Sequence, residues 1–232
     1  MSALLRAAAA VAFLAVGGCS ALKAIDEPQD LYTLTPKTTF EEGLPTVRWQ
    51  LVVEPPVSAA YLNTGRIALQ MTPTSADYYA RSAWTDRAPL LVQTLMVESF
   101  ESTRRIVGVG RDPVTVRPNY VLQTELREFQ VEYFRGRPPV AHVRIVARLV
   151  RFPDKQIVAT RSFERCARAA ADKVPAVVQA MDQALGTVLR RMVTWTLTVA
   201  PPQALAEGAP FVATRDVPAS GEDTDRCRAD GS

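Results

Sequence analysis

Residues 120–133 read YVLQTELREFQVEY, and their apolar side chains alternate in two phases. Apolar residues take even positions as far as Leu126 and odd positions from Phe129 onward. Strict alternation predicts a strand with one buried face. The change of phase near Arg127 and Glu128 predicts a β-bulge, because one extra residue turns every later side chain to the opposite face.

The chain continues this strand into an antiparallel meander. Gly136 and Pro138-Pro139 mark a loop, and Pro153-Asp154 marks a tight turn before a last strand over 156–164. The strand between them has an inward face made of Val143, Ile145, Ala147 and Leu149.

Two apolar stripes at helical spacing flank the meander in sequence. The longer one predicts a closing helix, capped by Asp172, and comprises Val174, Val177, Val178, Met181, Leu185, Val188, Leu189, Met192 and Trp195. The shorter one predicts an earlier helix, capped by Thr85 or Asp86, and comprises Leu91, Val92, Leu95, Met96 and Phe100.

Short strands are predicted before the first helix, over 31–34, 46–54 and 66–72, and residues 77–84 form a fourth strand or an extended edge segment. The order strands, helix, strands, helix favours an α+β domain over 31–199, with an antiparallel or mixed sheet and both helices packed on one face. Pro, Gly, Asp and Ala dominate residues 200–232, which predicts a disordered tail.

The composition is that of a folded domain. Hydrophobic residues make up 47% of the chain and charged residues 22%, which excludes wholesale disorder. The net charge of +3 is too small to indicate nucleic-acid binding.

The N-terminus has the pattern of a targeting segment. Arg6 precedes an apolar run from Ala7 to Val16, and Gly17-Gly18-Cys19 closes it. This pattern resembles the lipobox of bacterial lipoproteins, which implies a signal peptide over 1–18, acylation of Cys19 and a tether over 19–30. The alternative is an ordinary secretory signal in which the cysteine is coincidental.

Cys166 and Cys227 form an even pair in a compartment that permits disulfides. A bridge between them would join the tail to the domain, and the alternative is two free thiols. The chain has one histidine and no C-x-x-C motif, so we expect no metal site and no cofactor.

No catalytic motif is recognisable, and we expect no enzymatic activity. His142 shares a predicted strand face with Arg144 and Arg148, and residues 127–168 hold ten basic residues against four acidic ones. A basic face of this kind suits an acidic partner or lipid phosphate. The alternative is a solvated polar face on which His142 is an ordinary surface histidine.

The chain resembles the ABC-type transport auxiliary lipoproteins over about residues 12–198. Four stretches carry the resemblance: the lipobox with Leu31-Tyr32-Thr33-Leu34; Val52 to Pro56 with Tyr61 to Ile67; Ala83 to Gln93 with Phe100-Glu101; and the late strand pair with the closing helix and Trp195.

The resemblance implies a non-catalytic partner of a transporter that consists of an inner-membrane permease, an ATPase and an Mce-type lipid-binding protein. The implied cargo is lipids or other hydrophobic molecules. Ser20 after the cysteine implies anchoring in the periplasmic leaflet of the outer membrane. Cys19 is the only site residue that the resemblance transfers.

Two other functions stay open at this point. One is a stand-alone structural or assembly lipoprotein of the envelope, and a more distant one is a periplasmic hydrolase. Neighbouring genes for an ATPase, a permease and an Mce protein would favour the transporter. Self-association of the chain also stays open.

Overall fold

The computed structural model describes residues 29–112, 118–200 and 227. The predicted signal peptide, Cys19, nearly all of the tether and the tail apart from Ala200 and Cys227 lie outside the described residues. The described elements are β1 Asp30–Tyr32, β2 Gln50–Val53, β3 Val57–Ser58, β4 Arg66–Gln70, β5 Asp77–Trp84, α1 Ala88–Thr103, β6 Gly108–Gly110, β7 Tyr120–Glu132, β8 Val140–Arg151, β9 Ile157–Arg168 and α2 Val174–Val199.

The long strand β7 is the centre of the sheet. Along one edge it pairs in parallel with β2, β3 and β4, which meet it at successive positions. Strands β5 and β1 extend the sheet beyond β4, and β6 extends it beyond β2. Because parallel strands need a crossover connection, α1 carries the chain back before β6 and β7 begin.

The other edge of β7 carries the predicted meander. Strand β8 pairs antiparallel with β7, and β9 pairs antiparallel with β8. The register of β7 against β8 shifts between Leu126 and Glu128, so the predicted bulge is confirmed, with Arg127 as the extra residue.

Both helices pack on one face of this mixed sheet, as predicted. Helix α2 crosses β8 and β9, and α1 packs against α2, β2 and β6. The predicted inward face of β8 lies in this core, with Val143, Ile145, Ala147 and Leu149 fully buried. Helix α2 contributes Met181, Leu185, Leu189 and Met192 to the same core. Among the described helices, none is both long enough and apolar enough to cross a membrane.

The helix starts differ from the sequence predictions. Arg87 is the N-cap of α1, and Asp86 instead accepts a hydrogen bond from the Arg87 amide at 2.7 Å. Lys173 is the N-cap of α2, so the predicted capping role of Asp172 is wrong. The Asp172 carboxylate accepts hydrogen bonds from the Tyr133 hydroxyl at 2.7 Å and from Arg137 at 2.8 Å, which connects the start of α2 to the loop between β7 and β8.

Candidate functional site

The face of the sheet opposite the helices carries a cluster of charged side chains. Successive side chains of a strand alternate between faces, so the residues between the core positions of β7, β8 and β9 point to this second face. We call it the charged sheet face, and it is formed by Glu125, Glu128, Gln130, Glu132, His142, Arg144, Arg148 and Glu164.

His142 lies at the centre of one end of this face. Its Nδ1 is 2.6 Å from Glu132 Oε1, and its Nε2 is 2.6 Å from Glu164 Oε1. The three side chains are largely removed from solvent, with exposed fractions of 7% for His142, 4% for Glu132 and 12% for Glu164. The imidazole therefore links β7, β8 and β9 through two short hydrogen bonds.

These neighbours keep the imidazole protonated. Burial alone lowers the pKa of His142, but the hydrogen bonds and negative charges of Glu132 and Glu164 outweigh it and raise the pKa to about 9. A protonated ring donates from both nitrogens, so His142 does not act as a general base here. Its description as a surface histidine is wrong, because cross-strand carboxylates and the strands themselves bury it.

The two carboxylates are held in their charged forms. Burial would raise the pKa of Glu132, but His142 and Arg135 together bring it below its usual value. The hydrogen bond from His142 is the main cause of the lowered pKa of Glu164, and burial opposes it. The Gln130 amide donates to Glu128 at 2.7 Å and to Glu132 at 3.3 Å, which extends the network along β7.

Arg144 and Arg148 continue the same face, but acids accompany them. Arg144 pairs with Glu128, and Arg148 lies 3.8 Å from Glu125. Their side chains are 35% and 40% exposed, so both are accessible to a partner molecule. The charged sheet face thus carries paired basic and acidic side chains and is not a purely basic surface. The count of basic residues in the sequence did not predict these ion pairs. The glutamates that pair with Arg144 and Arg148 lie on the neighbouring strand β7.

Cys166 lies directly opposite His142 in the register of β8 and β9. The structure joins it to Cys227 in a disulfide, with the two Cα atoms 5.3 Å apart and a sequence separation of 61. Val140 packs against this pair, and Arg135 donates a hydrogen bond to the Cys227 carbonyl. This geometry is compatible with the bridge that the even pair of cysteines suggests, and the bridge stays a prediction for the protein in the envelope.

Ligand atoms of His142, Cys166 and Cys227 lie within 4.8 Å of one another, which is a separation compatible with a shared metal ion. In this arrangement, however, the sulfur atoms are bonded to each other and both imidazole nitrogens are bonded to carboxylates. A thiolate and a free nitrogen lone pair are what a metal needs. The cluster as it stands is an ion-pair network beside a disulfide.

The sequence predicted some of these residues and missed others. His142, Arg144 and Arg148 do share a face, as their spacing predicts. The sequence did not identify Glu132 and Glu164 as partners of His142. Each lies at a polar position of its own strand, and only the register between the strands brings it next to the ring.

Comparison with known proteins adds to these observations. A solved protein from Xanthomonas campestris, of the family DUF330, has a TM-score of 0.68 and 29% identity, with 73% of this chain and 95% of that protein covered. A second, uncharacterized protein has a TM-score of 0.57 at 15% identity, with 72% and 97% covered, and this similarity shows the fold alone. No curated protein matches the chain.

The family comparison is more informative. The model of the ABC-type transport auxiliary lipoprotein component matches residues 32–193, which include every described element from β2 to β9 and most of α2. The match extends over more than half of the sequence and contains all the strands of the charged sheet face. The chain therefore belongs to the ABC-type transport auxiliary lipoprotein family.

Proposed function

We propose that this chain is a non-catalytic subunit of an Mce-type ABC transporter, anchored by Cys19 in the periplasmic leaflet of the outer membrane. The observation that carries the proposal is the family match over residues 32–193, which covers the folded domain. The lipobox-like Gly17-Gly18-Cys19 directly upstream supports the anchor. In this proposal, the partners are the Mce protein and its inner-membrane permease and ATPase, and the cargo is lipids or other hydrophobic molecules.

The state of His142 supports a non-catalytic role. General base catalysis needs a group whose pKa lies near the working pH and whose lone pair can reach a substrate. His142 is the only histidine in the sequence, its pKa is raised to about 9, and two carboxylates occupy its ring nitrogens. It therefore serves to hold three strands together.

A lipid anchor and a folded domain contribute differently to binding. Several acyl chains on one cysteine hold a protein stably at a membrane, since each buried methylene contributes about 0.8 kcal/mol. The anchor raises the local concentration of the domain near its partner but supplies no specific contact. Specific contact with the Mce protein thus falls to the surface of the domain.

The exposed part of the charged sheet face is the contact surface that we propose. Of the two arginines on the charged sheet face, Arg148 is the more loosely paired, with its guanidinium 3.8 Å from the Glu125 carboxylate. Both side chains of this pair are more than a third exposed. A pair of this kind contributes little to stability and can exchange its partner for a charge on another protein. Arg144 lies beside Arg148 on the same face of β8. Buried His142 holds the nearby carboxylates of Glu132 and Glu164 in place.

Affinity purification from detergent-solubilised envelopes tests this function. The tagged wild-type chain should bring down an Mce-type protein with its permease and ATPase. Arg148→Glu should reduce the recovered Mce protein, most strongly at low salt, because exposed charges mainly steer encounter. Arg87→Glu is the matched control, since Arg87 is an exposed residue at the start of α1 in the helix layer. Recovery of the tagged chain without any transporter component would favour the stand-alone envelope lipoprotein.

A further inference from the structure

An apolar cavity of about 810 Å³ lies between the C-terminal end of α2 and the segment that leads into β2. This volume falls within the range of roughly 300–1,000 Å³ that is typical of small-molecule sites. Among the described residues that line it are Pro45, Val47, Arg48, Trp49, Leu197 and Ala200. It is separate from the charged sheet face, because α2 packs on the opposite side of the sheet.

The inner part of the cavity is apolar and closely packed. Trp49 is 2% exposed and packs edge-on against Tyr120, with the ring centroids 5.1 Å apart. Leu197, in the last turn of α2, and Ala200, directly after the helix, line the same inner part and are buried. The side chains of Trp49, Leu197 and Ala200 are almost fully buried and form the floor of the cavity. Pro45 and Val47 are half-buried and give the apolar wall against which an acyl chain can exclude water.

The outer part of the cavity is positively charged. Arg48 lines the mouth and is exposed, and within the described part of the chain no carboxylate pairs with it. Arg105 lies next to the mouth, where its guanidinium donates to the Thr46 hydroxyl at 3.1 Å and its carbonyl accepts from the Val47 amide at 2.7 Å. Two guanidinium groups beside an apolar cavity complement a molecule with an anionic head and an apolar tail.

We propose that this cavity binds a single-chain anionic amphiphile, with the acyl chain against Pro45 and Val47, above the floor that contains Trp49 and Leu197, and the anionic head at Arg48. This goes beyond the proposed transporter role, because a subunit can dock on a transporter without binding lipid. The bound molecule is a fatty acid or another acyl compound with a carboxylate or phosphate head. A neutral acyl compound fills the apolar part only and lacks the contact with Arg48.

Quenching of Trp49 fluorescence tests this inference. The full-length chain in a nonionic detergent is titrated with 9,10-dibromostearate, whose bromine atoms quench a tryptophan at contact range. Saturable quenching is expected, and it should disappear in Trp49→Phe because Trp84 and Trp195 pack in the core against Phe129 and Phe163. An absence of saturable quenching, or quenching that persists in Trp49→Phe, would overturn the cavity as the site.

A second comparison tests the role of the head group. Arg48→Gln should weaken binding of dibromostearate about threefold to tenfold, the effect of losing one exposed charge-assisted contact. It should leave binding of the neutral methyl ester unchanged, and Arg87→Gln should change neither. Equal affinity of the wild-type chain for both probes would overturn the anionic head. Either failure leaves the co-purification with a transporter untouched, so the two ideas fail separately.

Discussion

At the scale of single residues, the ion-pair network around His142 connects the three strands of the meander. Glu132 of β7 and Glu164 of β9 meet the ring from opposite sides, and each hydrogen bond is 2.6 Å long. Removal of one partner from such a group leaves a buried charge without compensation, which costs about 3–5 kcal/mol. The stability of the sheet at this end therefore depends on the protonation of one imidazole.

The pH dependence of unfolding should reveal this proton. The pKa of His142 rises from 6.5 to about 9 in the folded chain, so its contribution is fully present below pH 6.5 and is lost as the pH rises through about 9. The free energy of unfolding should fall by about 3 kcal/mol at most over that interval. The pKa values of Glu132 and Glu164 are lowered, so their contribution is present above pH 4.5 and is lost in acid.

Urea titrations at pH 6.5, 8 and 9 measure this effect. The wild-type chain should lose stability across the series, whereas His142→Gln should be less stable at pH 6.5 and should show no comparable decline. A wild-type chain with constant stability from pH 6.5 to 9 would show that the imidazole is not protonated in the folded state.

The disulfide is the second prediction at this scale. A bridge that closes a loop of 61 residues restricts the unfolded chain, and loop entropy gives a stabilisation of about 4 kcal/mol at most. Peptide mapping of envelope protein without reduction should recover the peptides of Cys166 and Cys227 joined. Cys166→Ser/Cys227→Ser should lower the melting temperature. Two thiols that react with an alkylating agent in native protein would contradict the bridge.

The spacing of residues within β8 predicts the sheet face on which His142 lies but not the side chains that it contacts. Period-two spacing places His142, Arg144 and Arg148 together, and the structure agrees. The register between strands decides which carboxylates meet the ring, and no pattern within one strand contains that information. The burial of His142 and the pairing of Arg144 and Arg148 also depend on the register between strands, so the sequence pattern did not predict them.

At the scale of elements, α2 and the bulge in β7 shape the domain. Helix α2 runs from Val174 to Val199 and places its apolar stripe on β8 and β9. The bulge at Arg127 lets Leu126 and Phe129 both face that helix layer, which a regular strand would not allow. Both features follow directly from the spacing of apolar residues, and for this reason the sequence predicted them.

Other elements depended on contacts between distant segments. Strand β3 has two residues and exists because Val57 and Ser58 meet Glu125 and Leu126 of β7. The parallel pairing of β2 with β7 likewise depends on the crossover through α1. Local propensity is too weak to predict strands whose hydrogen bonds lie with a remote partner.

Leu185 tests the role of α2 as the main packing element. It is fully buried in the middle of the stripe, so Leu185→Ala should lower the free energy of unfolding by about 2–5 kcal/mol. Gln183→Ala is the control, since Gln183 lies on the exposed side of the same helix and should change stability by less than about 0.5 kcal/mol. Chemical denaturation measures both variants. Equal midpoints for Leu185→Ala and the wild-type chain would contradict the packing role.

At the scale of the whole molecule, the folded domain has two separate surfaces that could bind other molecules. The charged sheet face and the cavity at the end of α2 lie on different sides of the sheet. A family match over residues 32–193 covers the domain but not Cys19. The anchor therefore depends on the sequence pattern and needs its own measurement.

Mass spectrometry of the mature N-terminus provides that measurement. We expect acyl chains on Cys19 and cleavage directly before it, and Cys19→Ser should leave the chain uncleaved or released from the outer-membrane fraction. A mature chain that begins elsewhere, or an unmodified Cys19 in the membrane fraction, would contradict the lipid anchor.

Photocrosslinking in intact cells tests whether the charged sheet face contacts a transporter protein. A benzophenone side chain replaces Arg148 on the charged sheet face or, as the control, Arg87 at the start of α1, and the adducts are identified by mass spectrometry. We predict an adduct with an Mce-type transporter protein from position 148 and a much weaker one from position 87. If the chain is correctly anchored and the adducts from both positions contain no transporter component, the proposed role as a transporter subunit would be contradicted.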